Sequence, residues 1–450
     1  MNKEKTLDRI LHGDLPLDFN WNRAGLSPDR LYFSEPTAQQ AQEVVLVSEC
    51  LRDGLHGIQE QPSLEQRVQY VEELSCLGIN YATVGIFPGF GNKNDRTIKE
   101  LIGEMRDQQP EMIPIVLTQA TEDALKWTLD CKQINPKLTS LAFMGTAPSR
   151  LLVEGWEKDD IIERLNWLVS SLSKSGIEVI GATEHTTQTP PEFLKRIITA
   201  QVESGANYFC IADTIGTSRP SGASRITVFV REVLHDLGRD DIQIDWHGHR
   251  DLGNDLANAM SAIAAGANRV HVVAGGIGER AGNTSMEAVI LNLSTIIEEA
   301  GGRVPWALPH LAQVFDKYHQ ITKIPIPEHG PLANRAFTTS LGIHTAAMYK
   351  SHEAAEAAEN QQRYLDLAKP LRKMERTVYS AVDPEQIGRT HQIKISPWSG
   401  SSTVLLAAAK MGIDTTTLTA EKIEFVLQTA KGMGRELTDF EFKGLINDNH

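Results

Sequence analysis

The chain has 450 residues, 41% of them hydrophobic and 23% charged, an ordinary composition for a globular protein with one large domain and a smaller one. A formal net charge of −14 argues against a nucleic-acid partner and leaves any anionic substrate dependent on local positive groups. No apolar run reaches the about 18 residues of a membrane span. The N-terminal MNKEKTLDRILHGDLPLDF lacks the apolar core of a signal peptide, and Cys50, Cys76, Cys131 and Cys210 lack CxxC spacing, so reduced, mostly buried thiols in a cytoplasmic protein are expected.

Residues 1–42 are polar and irregular and read as an N-terminal extension. EVVLVSE (43–49) is a valine-rich buried strand, ended by LRDG. Ser63 and Gln66 form a capping box, and Leu64, Val68, Val71 and Leu74 then recur at helical spacing. Further strands are expected at 79–87, 112–118 and 138–145, with helices over IKELIGEMRDQ and TEDALKWTLDCKQ, and a helical stripe follows at Ile161, Ile162, Leu165, Leu168, Val169 and Leu172. GIEVIGATE (176–184) is strand five, followed by a helix with Thr189 and Glu192 as its cap pair. ANYFCIADT (206–214), DIQIDWH (241–247) and RVHVVAGG (269–276) are strands six to eight, each followed by a helix. Eight strand–helix units in about 260 residues match a (β/α)8 TIM barrel, with a doubly wound sheet as the alternative. The expected barrel spans 43–303. Residues 304–389 then read as linker and helical subdomain, and 390–450 as a second, mostly helical C-terminal subdomain.

The barrel reading is favoured by where the chemistry-bearing residues fall. Asp53 follows strand one, Glu184 ends strand five, Asp213 and Thr214 end strand six, His247 ends strand seven and Asn283 follows strand eight. In a barrel all converge on one face. In the extended HGH, His247 and His249 point the same way and can hold one divalent metal, although two unrelated polar histidines would read alike. With Asp53, and Asn283 as a fourth donor, the set is a mixed O/N site suited to Zn, Mn or Mg rather than Cu(I) or an iron–sulfur cluster. Glu279 and Arg280 are expected to pair and shape the loop that carries Asn283.

LRDG (51–54), HGHRDLGND (247–255) and GIGERAGN (276–283) together resemble the signatures of the metal-dependent TIM-barrel superfamily that includes the isopropylmalate, homocitrate and citramalate synthases, hydroxymethylglutaryl-CoA lyase and the hydroxy-oxovalerate aldolases. The lyases carry a cysteine in the last loop, and this chain has none there. SLGIH (340–344), VYSAVDPEQIGR (378–389) and ISPWSGSSTV (395–404) resemble synthase segments beyond the barrel. RDGLH (52–56) is closer to the aldolases, whose equivalent histidine serves as a base.

The resemblance implies an acyltransferase that condenses acetyl-CoA with a 2-oxo acid, hydrolyses the thioester and releases CoA from a 2-substituted malate. It implies one divalent metal on Asp53, His247, His249 and Asn283, and Arg52 as the cation for the enolate or alkoxide. It also implies His344 as base, with Tyr379 and Glu184 in its proton network, and Thr214, His56 and Arg150 at the substrate. A homodimer follows from the same resemblance. A metal-dependent aldolase or lyase is the second reading, and a catalytically silent barrel acting as a binding protein is the third.

Overall fold

The computed structural model describes residues 35–362 and 365–447; the expectation for residues 1–34 lies outside them. The chain divides into a barrel unit, Met1–Ala307 with Val314–Pro325, and a second unit, Leu308–Gln313 with Ile326–His450. Eight parallel strands form the closed barrel: β1 (Val45–Ser48), β2 (Tyr81–Ile86), β3 (Ile113–Gln119), β4 (Thr139–Gly145), β5 (Glu178–Glu184), β6 (Tyr208–Asp213), β7 (Gln243–Gly248) and β8 (Arg269–Val272). Closure is made by β1 against β8, in a register running from Val45 opposite Arg269 to Ser48 opposite Val272.

The helices form where an apolar stripe meets a good start signal. Ser63 and Gln66 make the reciprocal capping box of the helix Leu64–Leu77, whose inner face buries Tyr70, Val71, Leu74 and Leu77. The helix Lys158–Lys174 buries Ile161, Leu165, Leu168, Val169 and Leu172. One local reading is corrected. The helix after β5 is Pro191–Glu203, with Pro190 at its cap and no side-chain cap bond. The Thr189 hydroxyl instead lies 2.6 Å from Thr146 and donates to the His185 carbonyl. A helix at Pro148–Glu154, just past β4, was not foreseen. Of the four cysteines, Cys50, Cys131 and Cys210 are buried and Cys76 is exposed.

Alternation along the strands divides the barrel interior in two. Val47, Ile115, Leu117, Leu141, Ile180, Ala182 and Cys210 form an apolar cluster. Just past β1, and on β7 and β8, the same face carries charge instead, as described below.

The second unit is helical, with helices Gly342–Glu359, Leu365–Thr377, Ser401–Lys410, Ala420–Met433 and Asp439–Asn447 and a short parallel pair, Thr338–Thr339 with Gln392–Ile393. Its core joins Met348, Val404, Leu406, Val426, Ala430 and Phe442. Among the described residues no helix is long and apolar enough to cross a membrane.

Leu168 is fully buried while Glu163, on the same helix, is exposed. We expect Leu168→Ala to cost about 2–5 kcal/mol in chemical denaturation and Glu163→Ala to stay within about 0.5 kcal/mol. Equal losses would contradict the assigned inner face.

Candidate metal centre and cavity

Period-two alternation sends Asp245, His247 and His249 to the barrel interior from β7 and its end, and Arg269 and His271 from β8. Asp53 opens the tight turn Asp53–Leu55 just past β1, where it is 3% exposed. Its Oδ2 lies 3.6 Å from His247 Nε2 and 3.9 Å from His249 Nε2, and the two Nε2 atoms are 3.2 Å apart. All three separations are below twice the about 2.0–2.2 Å typical of zinc bonds to N and O donors.

The tautomers also fit a metal. His249 Nδ1 faces the Gly282 carbonyl at 3.2 Å. A carbonyl only accepts, so the proton sits on Nδ1 and Nε2 is left with its lone pair free to ligate. Burial disfavours the charged imidazoles: His247 is pushed down to about 3 by burial and then by His249, and His249 is lowered by burial. Burial would raise Asp53, but the Arg52 guanidinium beside it holds it well below the usual carboxylate range. Asn283 Nδ2 donates to Asp53 Oδ1 at 3.1 Å, and its Oδ1 is buried without a hydrogen-bond partner. Two neutral imidazoles, an ionised carboxylate and an orphaned amide oxygen form a donor set that suits a divalent cation.

The loop carrying Asn283 needs its glycines. Gly278 (φ +156°) and Gly282 (φ +111°) adopt backbone that side chains avoid, and a Cβ would collide with Asn283 Nδ2 at the first and with the Gly276 carbonyl at the second. Arg280 (φ +54°) takes Asp251 rather than its neighbour Glu279 as its hydrogen-bonded partner, correcting the expectation. Its Nε bonds Asp251 at 2.8 Å, and its Nη2 donates to the Thr214 carbonyl at 2.5 Å. Glu279 Oε2 stands 3.7 Å from His56 Nδ1 instead.

Beneath the cluster lies a polar column that sequence reasoning did not single out. His271 Nδ1 is 2.8 Å from Glu49 Oε1, and its Nε2 is 3.1 Å from Asp245 Oδ2. Arg269 Nε lies 3.3 Å from Asp245 Oδ1, with its guanidinium over the rings of Tyr208 and Tyr81 at 4.2 and 4.8 Å. The signal was present: charged residues at 245, 269 and 271 share the inward parity of His247 in otherwise apolar strands. Two further clusters of close donors, Glu49–His247–His271 and Cys210–Asp245–His271, fall in this column.

A cavity of about 290 Å³ opens over Asp53, His247 and His249. Arg52, Asp53, His56, Glu184, Thr214, His247 and His249 line it, joined by Glu279 and Arg280. Its other wall, contributed by β2 to β6, is apolar: Ile86, Leu117, Leu141, Phe143 and Ala182. Arg150 reaches Glu184 Oε2 at 3.7 Å and Glu154 at 3.0 Å. Thr214 Oγ1 accepts from the His185 amide at 2.7 Å. His344 and Tyr379 belong to the second unit, where their rings stack with centroids 4.0 Å apart.

The buried imidazole makes stability depend on pH. His247 titrates at 6.5 when unperturbed and at about 3 in the fold. Its contribution is therefore complete above 6.5 and is lost as pH falls toward 3, because the unfolded chain binds more protons there. Glu49, lowered from 4.5 to about 2, adds a loss of the same sign at more acid pH; burial opposes that shift, and Arg52 and His271 cause it. We expect the denaturation midpoint of chelator-treated protein to fall on acidification below pH 6.5, with a shallower slope between pH 6.5 and 4.5 in His247→Ala. Identical slopes would contradict the neutral, buried imidazole.

The profile of the HMGL-like family matches residues 43–306. A probable 2-isopropylmalate synthase of Methanopyrus kandleri is 25% identical over 85% of this chain and 68% of its own length. A homocitrate synthase of Methanothermobacter thermautotrophicus is 27% identical over 86% of this chain and 90% of its own length. Among solved structures, the HMG-CoA lyase of Bacillus subtilis superposes with a TM-score of 0.52 at 19% identity, covering 65% of this chain and 97% of that one, a likeness of fold. The chain belongs to the HMGL-like family of TIM-barrel enzymes and is related to the 2-isopropylmalate and homocitrate synthases.

Proposed function

We propose that this chain condenses acetyl-CoA with a 2-oxo acid bearing an apolar side chain, hydrolyses the thioester and releases CoA. The observation that carries the reading is the two-sided cavity. Arg52, Asp53, His247 and His249 gather on one side, and Ile86, Leu117, Leu141, Phe143 and Ala182 form the other. A substrate with a polar head and an apolar tail matches both. Condensation is favoured over cleavage by the extent of the likeness, because the synthases align over 85% and 86% of the chain, well past residue 306 where the family profile ends.

A divalent cation on Asp53, His247, His249 and Asn283 would polarise the ketone of the acid. Arg52 supplies a fixed positive charge where negative charge develops on oxygen, since its fork is already oriented by Glu49 and Asp53. Thr214, whose oxygen accepts from His185, keeps its own proton to donate to the substrate carboxylate. Arg150 holds Glu184 at the edge of the cavity. His344, stacked on Tyr379, takes the methyl proton of the thioester in this reading. The homodimer belongs to the same proposal.

A screen of CoA release across 2-oxo acids tests it. Acids with branched apolar side chains should turn over at the lowest KM, and 2-oxoglutarate and oxaloacetate poorly. A preference for the dicarboxylates would contradict the apolar wall, and no CoA release with any acid would sink the condensation.

One observation favours the second reading, a pyruvate-type aldolase: His56 lines the cavity beside Glu279. The two readings part on the base. In the synthase, His344→Ala should lower kcat by about 10²–10⁴-fold with metal retained, and His56→Ala should act mainly on KM. An inactive His56→Ala protein with normal substrate binding, beside a fully active His344→Ala protein, would favour the aldolase.

A further inference from the structure

The column under the cavity has a directional logic. Glu49, His271, Asp245 and Arg269 are each at most 2% exposed. Carboxylate oxygens accept, and each nitrogen of His271 faces one of them, Glu49 Oε1 at 2.8 Å and Asp245 Oδ2 at 3.1 Å. Only the imidazolium donates from both nitrogens, so His271 is a cationic clamp between two acids on different strands. The clamp continues upward. Glu49 Oε1 is held by His271 and by the Thr83 hydroxyl at 2.9 Å, which leaves Oε2 to meet Arg52 Nε at 3.0 Å. Arg52 Nη1 then grips Asp53 Oδ2 at 2.6 Å, the same oxygen that faces both His247 and His249. Each link is set by the one below it, from strand β8 through β1 to the ligand.

The alternative, that Glu49 or Asp245 with His271 forms a second metal site, conflicts with the charges around it. Arg52 already forms an ion pair with Glu49 at 3.0 Å and Arg269 with Asp245 at 3.3 Å. A divalent cation there would have to displace two buried guanidinium groups from their counter-ions.

We propose that His271 and Glu49 are positioning residues of the metal centre: His271 fixes the Glu49 carboxylate, Glu49 orients Arg52, and Arg52 fixes the ligating oxygen of Asp53. The proposal rests on the reading of Asp53, His247 and His249 as ligands.

The test is Co²⁺ titration of chelator-treated protein, followed by the visible absorption of the bound ion and by calorimetry, with no substrate present. Wild type should bind one Co²⁺ per chain, and His247→Ala/His249→Ala should bind none. Glu49→Gln keeps shape and removes the charge; His271→Gln removes the clamp. Each should weaken Co²⁺ binding by about 10–100-fold and alter the absorption band, as expected for groups that orient a ligand. Thr118→Val is the control. It breaks a buried hydroxyl contact of 2.7 Å between β3 and β4, outside the column, and should lose stability without changing Co²⁺ affinity. If His271→Gln fails to fold, Glu49→Gln decides. Folded Glu49→Gln or His271→Gln protein with wild-type affinity and spectrum would overturn the relay. So would a wild type that binds a second equivalent lost in His271→Gln. A wild type that binds no Co²⁺ would remove the ligand assignment itself, and the relay with it, a result distinct from intact binding in the variants.

Discussion

Glu49, Asp53 and Asp245 lie inside the barrel with at most 3% of their surface exposed. A carboxylate taken out of water costs several kcal/mol unless a cation and hydrogen bonds replace the solvent. Here the compensation is arranged in series. Arg269 meets Asp245, His271 joins Asp245 to Glu49, and Arg52 joins Glu49 to Asp53. The strand register supports this arrangement, because Asp245 opposite Arg269 and Val47 opposite His271 bring residues from distant parts of the sequence to matching depths. Moving β8 by one residue would turn Arg269 and His271 out of the interior and leave the acids facing each other.

The same column explains why the chemistry sits where it does. The interior beside β2 to β6, with Val47 of β1, is apolar and that beside the end of β1, β7 and β8 is charged, so the cavity above them inherits two unlike walls. Local positive charge also answers the global field. The chain carries a net charge of −14, yet Arg52 and Arg280 both line the cavity, beside Asp53, Glu184 and Glu279.

Much of this was legible in the sequence because it rests on short-range pattern. Valine-rich runs ended by polar residues gave the strands, and Ile161, Leu165, Leu168, Val169 and Leu172 gave a helix face that is buried as expected. The convergence of Asp53, His247 and His249 followed from barrel geometry once their places at strand ends were known. What was missed depends on tertiary partners. Thr189 sits where a cap residue should, but Thr146 from the β4 loop engages its hydroxyl. Arg280 has an acid beside it in sequence, but its backbone turns it to Asp251. Glu49 was read only as part of the strand 43–49, because its partners on β2 and β8 are 34 and 222 residues away. The helix Pro148–Glu154, which brings Arg150 to Glu184, lies between the expected strand at 138–145 and the stripe that starts at Ile161, where no element was expected.

The central claim is that the buried ion column holds one divalent cation at the barrel mouth. Anomalous diffraction at the absorption edge of the metal found in the purified protein tests it most directly. The account predicts one strong peak between Asp53 Oδ2, His247 Nε2 and His249 Nε2. It predicts no comparable peak among Glu49, Asp245 and His271. A peak in the lower cluster, or an empty mouth in protein that retains metal and activity, would contradict it.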